Sequence, residues 1–137
     1  MHDNVFIVGA ARTPIGKFGG GLAHLNCADL GAIPAAAAIE RAEVSADDIG
    51  SVVVGNVIPT RPEDVYLSRM VGRQVGVPDS AAAFNVNRLC GSGVQAIVSA
   101  ALEIAHTVAD FALAGGVESM SNAPYSVDGL RFGTRMG

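Results

Sequence analysis

The sequence predicts an α/β protein built on a mostly parallel sheet with helices on both faces. Three observations lead there. Short apolar runs alternate with longer segments of helical periodicity, in the order β-α-β-α-β-α-β. The runs are continuously apolar, as strands buried on both faces are. Half of the 137 residues are hydrophobic and only 16% are charged, which excludes a disordered chain. Strands joined by crossover helices run parallel, and functional groups then collect at the C-terminal strand ends, where helices begin.

The elements follow in order. Val5, Phe6, Ile7 and Val8, closed by Gly9, predict a buried strand over 4–8. Residues 12–26 form a loop broken by Pro14, Gly16, Gly19, Gly20 and Gly21. A helix is expected over 28–42, with Asn26 or Asp29 near its start. Pro34 inside it costs about 3 kcal/mol unless it falls in the first turn, which places the expected start later than Ala28. Residues 45–48 read as a short capped turn of helix, led by Ser45. Val52, Val53, Val54 and Val57 predict a second strand over 51–57. Val65, Leu67, Met70, Val71 and Val75 predict an amphipathic helix over 63–76. A third strand over 82–87, a long helix over 92–107 and a fourth strand over 110–114 complete the pattern. Beyond Ser119 the periodicity gives way to loop.

Charge and hydropathy exclude several function classes. Nine Lys and Arg stand against 13 Asp and Glu, a net charge of −4, and the pI is about 5.2. Such a chain is a poor binder of phosphate backbones. The longest charge-free stretch in the middle of the chain, 89–102, includes Cys90, Gly91, Ser92, Gly93 and Gln95. A spanning helix needs about 20 mostly apolar residues, so no membrane insertion is expected. The start, Met1 to Asn4, lacks the basic region of a secretory signal, and two cysteines make no disulfide framework, so the expected location is cytoplasmic. Seventeen glycines, 5% aromatic residues and no Trp leave few methylenes to bury per residue. We expect the core to be completed by a partner subunit or by further sequence.

The junction Asn87-Arg88-Leu89-Cys90-Gly91-Ser92-Gly93 leaves a predicted strand and opens a predicted helix. Cys90 is expected in the first positions of that helix, where unpaired amides and the positive end of the macrodipole favour a thiolate. Gly91 and Gly93 clear space for an incoming carbonyl, and the amides of the turn face an oxyanion. Spacing alone leaves a second reading open, a small buried cysteine before a tightly packed helix. A phosphate-binding loop is a poorer match, because no Lys lies near this turn.

Four stretches resemble the thiolase family, the acetyl-CoA acetyltransferases and 3-ketoacyl-CoA thiolases. They are Ala10-Ala11-Arg12-Thr13-Pro14 with Gly16-Lys17-Phe18-Gly19-Gly20, then Gly55-Asn56-Val57, then 87–93, then Ala114-Gly115-Gly116-Val117-Glu118-Ser119-Met120-Ser121-Asn122-Ala123-Pro124-Tyr125. The match spans essentially the whole chain, and residues 55–58 with 64–69 resemble a bacterial β-ketothiolase branch. The resemblance implies a thiolase-fold N-terminal domain over 1–118, without its last helix and strand, and the start of an inserted loop domain over 119–137. It implies that Cys90 takes the acyl group from an acyl-CoA. A second acyl-CoA then attacks that acyl-enzyme to form a 3-ketoacyl-CoA, or the reverse reaction cleaves one with CoA. Coenzyme A is a substrate, and no metal or redox cofactor is implied.

The family's His in Gly-His-Pro, Asn in Asn-Glu-Ala-Phe and second Cys in Cys-x-Gly have no counterpart within these 137 residues. The isolated chain is therefore expected not to turn over. The resemblance also implies a homodimer or homotetramer, with strand 82–86 at a sheet edge pairing with its copy. Two alternatives are carried: a ketoacyl-synthase-like condensing enzyme, which lacks the 118–124 stretch, and a non-catalytic thiolase-like binding or assembly protein.

The remaining candidates have plainer readings. Cys27 is a packing residue. His2 is solvated, His24 lies in the glycine-rich loop and His106 favours a helix C-terminus. No histidine pairs with Cys or carboxylates at metal spacing. The resemblance implies that Glu118 shapes its loop, with an acid/base role as the alternative, and that Met120 stands near the site entrance, with packing as the alternative; Gly115-Gly116 reads as close packing or loop entry. Arg12 is expected to be paired within the domain, and Arg131 and Arg135 form a solvated loop tip.

Overall fold

Three parallel strands form one sheet in the order β2-β1-β3, in a computed structural model that describes residues 4–133. The elements are α1 (Cys27–Ala42), β1 (Ile49–Gly55), α2 (Leu67–Gln74), β2 (Ala82–Val86), α3 (Ser92–Ala105) and β3 (Phe111–Gly116). Short 3₁₀ turns occupy Ala46–Asp48, Pro62–Tyr66 and Met120–Asn122. In register, Val53 of β1 lies opposite Phe84 of β2 and Ala114 of β3.

The central strand explains the two-sided core. Val52 and Val54 pack with Cys27, Ala28 and Ala35 of α1 and with Leu67 and Val71 of α2. Val53 points the other way, onto Ala96 and Ala100 of α3. Alternate residues of one strand therefore bury against opposite helix layers, as the continuously apolar run predicts. The outer face of α3 is unfinished: Val94, Ile97, Val98 and Leu102 stay exposed. No helix among the described residues is long and apolar enough to cross a membrane.

Residues 4–8, expected to form a buried strand, do not. The segment takes no strand hydrogen bonds, and Phe6 and Ile7 are 77% and 76% exposed. It runs beside a cavity of about 790 Å³ whose other walls include β3, α1 and α3. A strand exists only as a member of a ladder, and no described strand pairs with this segment. The apolar pattern is present; the neighbour that would use it is not among the described residues.

Helix α1 starts earlier than expected and keeps Pro34 inside it. Asn26 caps it, its Oδ1 accepting from the Asp29 amide at 2.8 Å. Cys27 and Ala28 are buried in the first turn, and Gly31 lets α1 sit against Val71 of α2. That packing outweighs the local cost of the proline. The helix expected over 63–76 is divided. Asn85 reaches in from β2: its Oδ1 accepts from the Ser68 amide at 2.9 Å and its Nδ2 donates to the Asp64 carbonyl at 2.8 Å. A side chain thus takes both ends of what would be one helical hydrogen bond, and the regular helix begins only at Leu67. The turn after Ser45 forms as expected, with Ser45 as its cap.

Candidate active site

Two glycines allow α3 to begin where it does. A Cβ placed on Gly55, the last residue of β1, falls 2.6 Å from both the carbonyl carbon and oxygen of Ser92. A Cβ on Gly116, the last residue of β3, falls 3.2 Å from the Cα of Gly93. The first turn of α3 therefore rests directly on the C-terminal ends of two strands, an approach that only glycine permits at position 55 and that a side chain at 116 would crowd.

The residues ahead of that turn are held tightly. Leu89 has φ +50°, in the left-handed region that a branched side chain adopts at a cost of about 1–3 kcal/mol. Asn87 Oδ1 accepts from the Leu89 amide at 3.1 Å. The buried Ser92 hydroxyl accepts from the Arg88 amide at 2.9 Å and donates to the Leu89 carbonyl at 2.6 Å. The amides of Gly91 and Ser92 close back onto the Arg88 and Leu89 carbonyls at 3.1 and 3.0 Å.

Cys90 stands on this turn. It is exposed, with a free thiol. Its backbone N–H makes no hydrogen bond among the described residues. It does not lie in the first positions of the helix, as expected: Gly91 is the N-cap of α3, so Cys90 precedes the cap by one residue. The left-handed Leu89 diverts the chain before the helix starts, and Cys90 projects at the approach to the helix N-terminus. A buried packing cysteine is not what the structure shows at this position.

The four family-like stretches, far apart in sequence, are knit together here. The Gly19 amide donates to Ser121 Oγ at 2.9 Å, and Asn122 Nδ2 donates to the Ala23 carbonyl at 3.0 Å. Glu118 reaches the segment after β1, accepting from the amides of Val57 at 2.9 Å and Ile58 at 3.0 Å and from Asn56 Nδ2 at 3.1 Å. Asn87 Nδ2 donates to the Val57 carbonyl at 3.3 Å. Glu118 thus shapes its loop, as the sequence predicts. Gly116 serves close packing.

The other residues singled out in the sequence take plainer roles. Cys27 is completely buried; burial pushes its thiol pKa up, and the nearby Asp64 carboxylate adds to that. This fits a packing role. His106 is the C-cap residue of α3, and His24 is exposed. Arg12 is not paired within the domain: its guanidinium donates only to the adjacent Thr13 carbonyl and stays exposed, because no carboxylate among the described residues lies within ion-pair distance of it. Met120 is exposed on the segment that follows β3, and Arg131 is exposed. His2 and Arg135 lie outside the described residues. No cluster of His, Cys, Asp and Glu able to hold a metal occurs among the described residues. The roles of Ser92 and Asn56 are not foreshadowed by the sequence pattern. The one local signal is Gly55 inside a run of valines, a mark of close backbone approach.

Known proteins share this sequence pattern and fold. Residues 5–137 match the family model for the thiolase N-terminal domain. The chain is 52% identical over 137 residues to beta-ketothiolase BktB of Cupriavidus necator, covering 100% of this chain and 35% of that protein. It is 46% identical over 133 residues to the mitochondrial 3-ketoacyl-CoA thiolase of Homo sapiens, covering 97% and 34%. The crystal structure of human mitochondrial 3-ketoacyl-CoA thiolase in complex with CoA superposes with a TM-score of 0.93 at 45% identity, covering 96% of this chain and 34% of that one. The chain belongs to the thiolase family. It spans about a third of the length of these relatives.

Proposed function

We propose that this chain supplies the acyl-accepting part of an acyl-CoA C-acyltransferase, with Cys90 as the nucleophile. One observation carries the reading: an exposed cysteine with an uncommitted backbone N–H, on a turn whose strained conformation is fixed from both sides. The Cys90 thiolate adds to the thioester carbonyl of an acyl-CoA. The carbonyl electron pair moves to oxygen, where the Cys90 N–H is one donor for the oxyanion. Collapse of the adduct breaks the bond to the CoA sulfur, CoA leaves as its thiolate and takes a proton from solvent, and the acyl group remains on Cys90 as a new thioester. A carbanion from a second acyl-CoA then takes the acyl group to give a 3-ketoacyl-CoA; the reverse cleaves one with CoA.

Every step exchanges thioester and carbon nucleophiles without a net change of oxidation state, so the chemistry calls for no redox cofactor, and coenzyme A is a substrate. The names of the relatives and the human structure in complex with CoA support acyl-CoA as the partner. The groups that deprotonate the second substrate are not among these residues, and the chain alone is not a complete catalyst. Residues 119–137 begin the inserted loop domain in this reading. Strand β2, at the sheet edge, is the proposed contact of a homodimer or of a homotetramer built from it. We assign the protein to the cytosol, a compartment that suits its two free thiols. Incubating the chain with acetyl-CoA tests the core of this reading: acetyl is expected on Cys90 and absent from Cys90→Ala. A ketoacyl-synthase-like enzyme is disfavoured by the family match. A purely binding role predicts no acetyl transfer at all.

A further inference from the structure

We infer that Glu118 is a positioning residue for Cys90, acting through the Val57 carbonyl and the Asn87 side chain on the turn that carries the thiol. The inference rests on the assignment of Cys90 as nucleophile and adds what holds it.

The chain of contacts is continuous. Glu118 follows β3, and its carboxylate accepts from three donors of the segment after β1: the amides of Val57 and Ile58 and Asn56 Nδ2. An ionised carboxylate is an acceptor at every lone pair, so it alone among side chains of this length satisfies all three without conflict. This fixes the Val57 peptide. The Val57 carbonyl then accepts from Asn87 Nδ2 at 3.3 Å, leaving Asn87 Oδ1 aimed at the Leu89 amide at 3.1 Å. Asn87 is used at both ends, so its orientation is dictated by Val57 and in turn holds Leu89 at φ +50°. Leu89 is the residue before Cys90. A left-handed leucine persists only where its surroundings over-determine it, and the Asn87 link is one of the two side-chain bonds that do so; Ser92 supplies the other.

Glu118→Gln keeps the shape but turns one acceptor into an NH₂ group, setting a donor against a donor. Asn87→Ala removes the link further along while leaving the Glu118 contacts intact. The experiment measures the rate of iodoacetamide alkylation at Cys90 across pH 6–9 by peptide mass spectrometry, with the buried Cys27 in the same chain as reference and circular dichroism as the fold check. Each substitution is expected to change the Cys90 rate by about fivefold or more, leaving Cys27 unaltered. The double variant is expected to change it no further, because both act through one chain of contacts. A natively folded variant with an unchanged Cys90 rate and pH profile overturns the inference. So does a double variant whose effect is the product of the two single effects, as independent structural damage would give. Asn87 is exposed, so Asn87→Ala carries the test alone if Glu118→Gln fails to fold. A wild-type Cys90 no more reactive than free cysteine overturns the nucleophile reading and this inference together. A reactive wild type with unchanged variants overturns this inference only.

Discussion

Gly55 at the end of β1 and Ser92 at the start of α3 approach so closely that a β-carbon on the glycine falls 2.6 Å from the serine's carbonyl carbon and oxygen. Real Cβ atoms do not come that close to backbone. Gly55→Ala must therefore push the first turn of α3 off the sheet, or bend β1. We expect a loss of about 1–3 kcal/mol, the scale of overpacking in a filled core, read as a lower urea midpoint. Since that turn carries Cys90, its alkylation rate is expected to change too. A variant with wild-type stability and reactivity means that α3 does not rest on Gly55.

Ser92 is buried, and its hydroxyl makes two hydrogen bonds to the strained turn. In Ser92→Ala the Arg88 amide loses its acceptor and Leu89 loses its second tether. A half-buried donor left unsatisfied costs about 1–3 kcal/mol, and denaturant unfolding reads that loss directly. Ser92→Thr, which keeps the hydroxyl, is expected to recover part of the stability.

The raised pKa of Cys27 has a consequence for stability against pH. Burial keeps the thiol protonated in the folded chain at pH values where the unfolded chain, titrating near the usual value of about 8.5, has lost its proton. The native state then binds more protons than the unfolded state, so stability falls as pH rises. The contribution is complete below about pH 8.5 and is lost as pH climbs through the folded value. Urea midpoints measured from pH 7 to 10 are expected to decline, and Cys27→Ala is expected to flatten that decline. An equal decline in both proteins contradicts it.

Among the described strands β2 pairs only with β1, and Phe84 on it is 37% exposed. Open edges of this kind pair with other chains unless protected. The Val86 carbonyl accepts from Asn56, so alternate residues of β2 face β1 and Ala83 faces the open edge; if β2 is the contact between subunits, Ala83→Pro removes a donor from that edge and inserts a ring there. Light scattering is expected to report a smaller species than the wild-type assembly. An unchanged oligomer moves the interface elsewhere.

What the sequence discloses here depends on range. The valine run 52–54, the two layers of helices and the change from strand to helix across 87–93 are local patterns, and they read correctly. Residues 4–8 carry the same kind of pattern, yet a strand also needs an edge to pair with, and apolarity cannot supply one. The helix over 63–76 is interrupted by Asn85, a residue from another element, so no window of local sequence contains the cause. Pro34 misplaces the start of α1 because its cost is local and the packing that offsets it is not. The proposed nucleophile, Cys90, is offset from the helix, and that offset depends on the backbone angle of Leu89. The tethers that set that angle come from Asn87, Ser92 and, through Val57, from Glu118, far along the chain.

Whether Cys90 accepts an acyl group is decided by mass spectrometry of the chain after incubation with acetyl-CoA. One added acetyl group is expected, mapped to the Cys90 peptide, released by hydroxylamine as a thioester and missing from Cys90→Ala. An unmodified Cys90, or acetyl mapped equally to Cys27 and to lysines, contradicts the assignment.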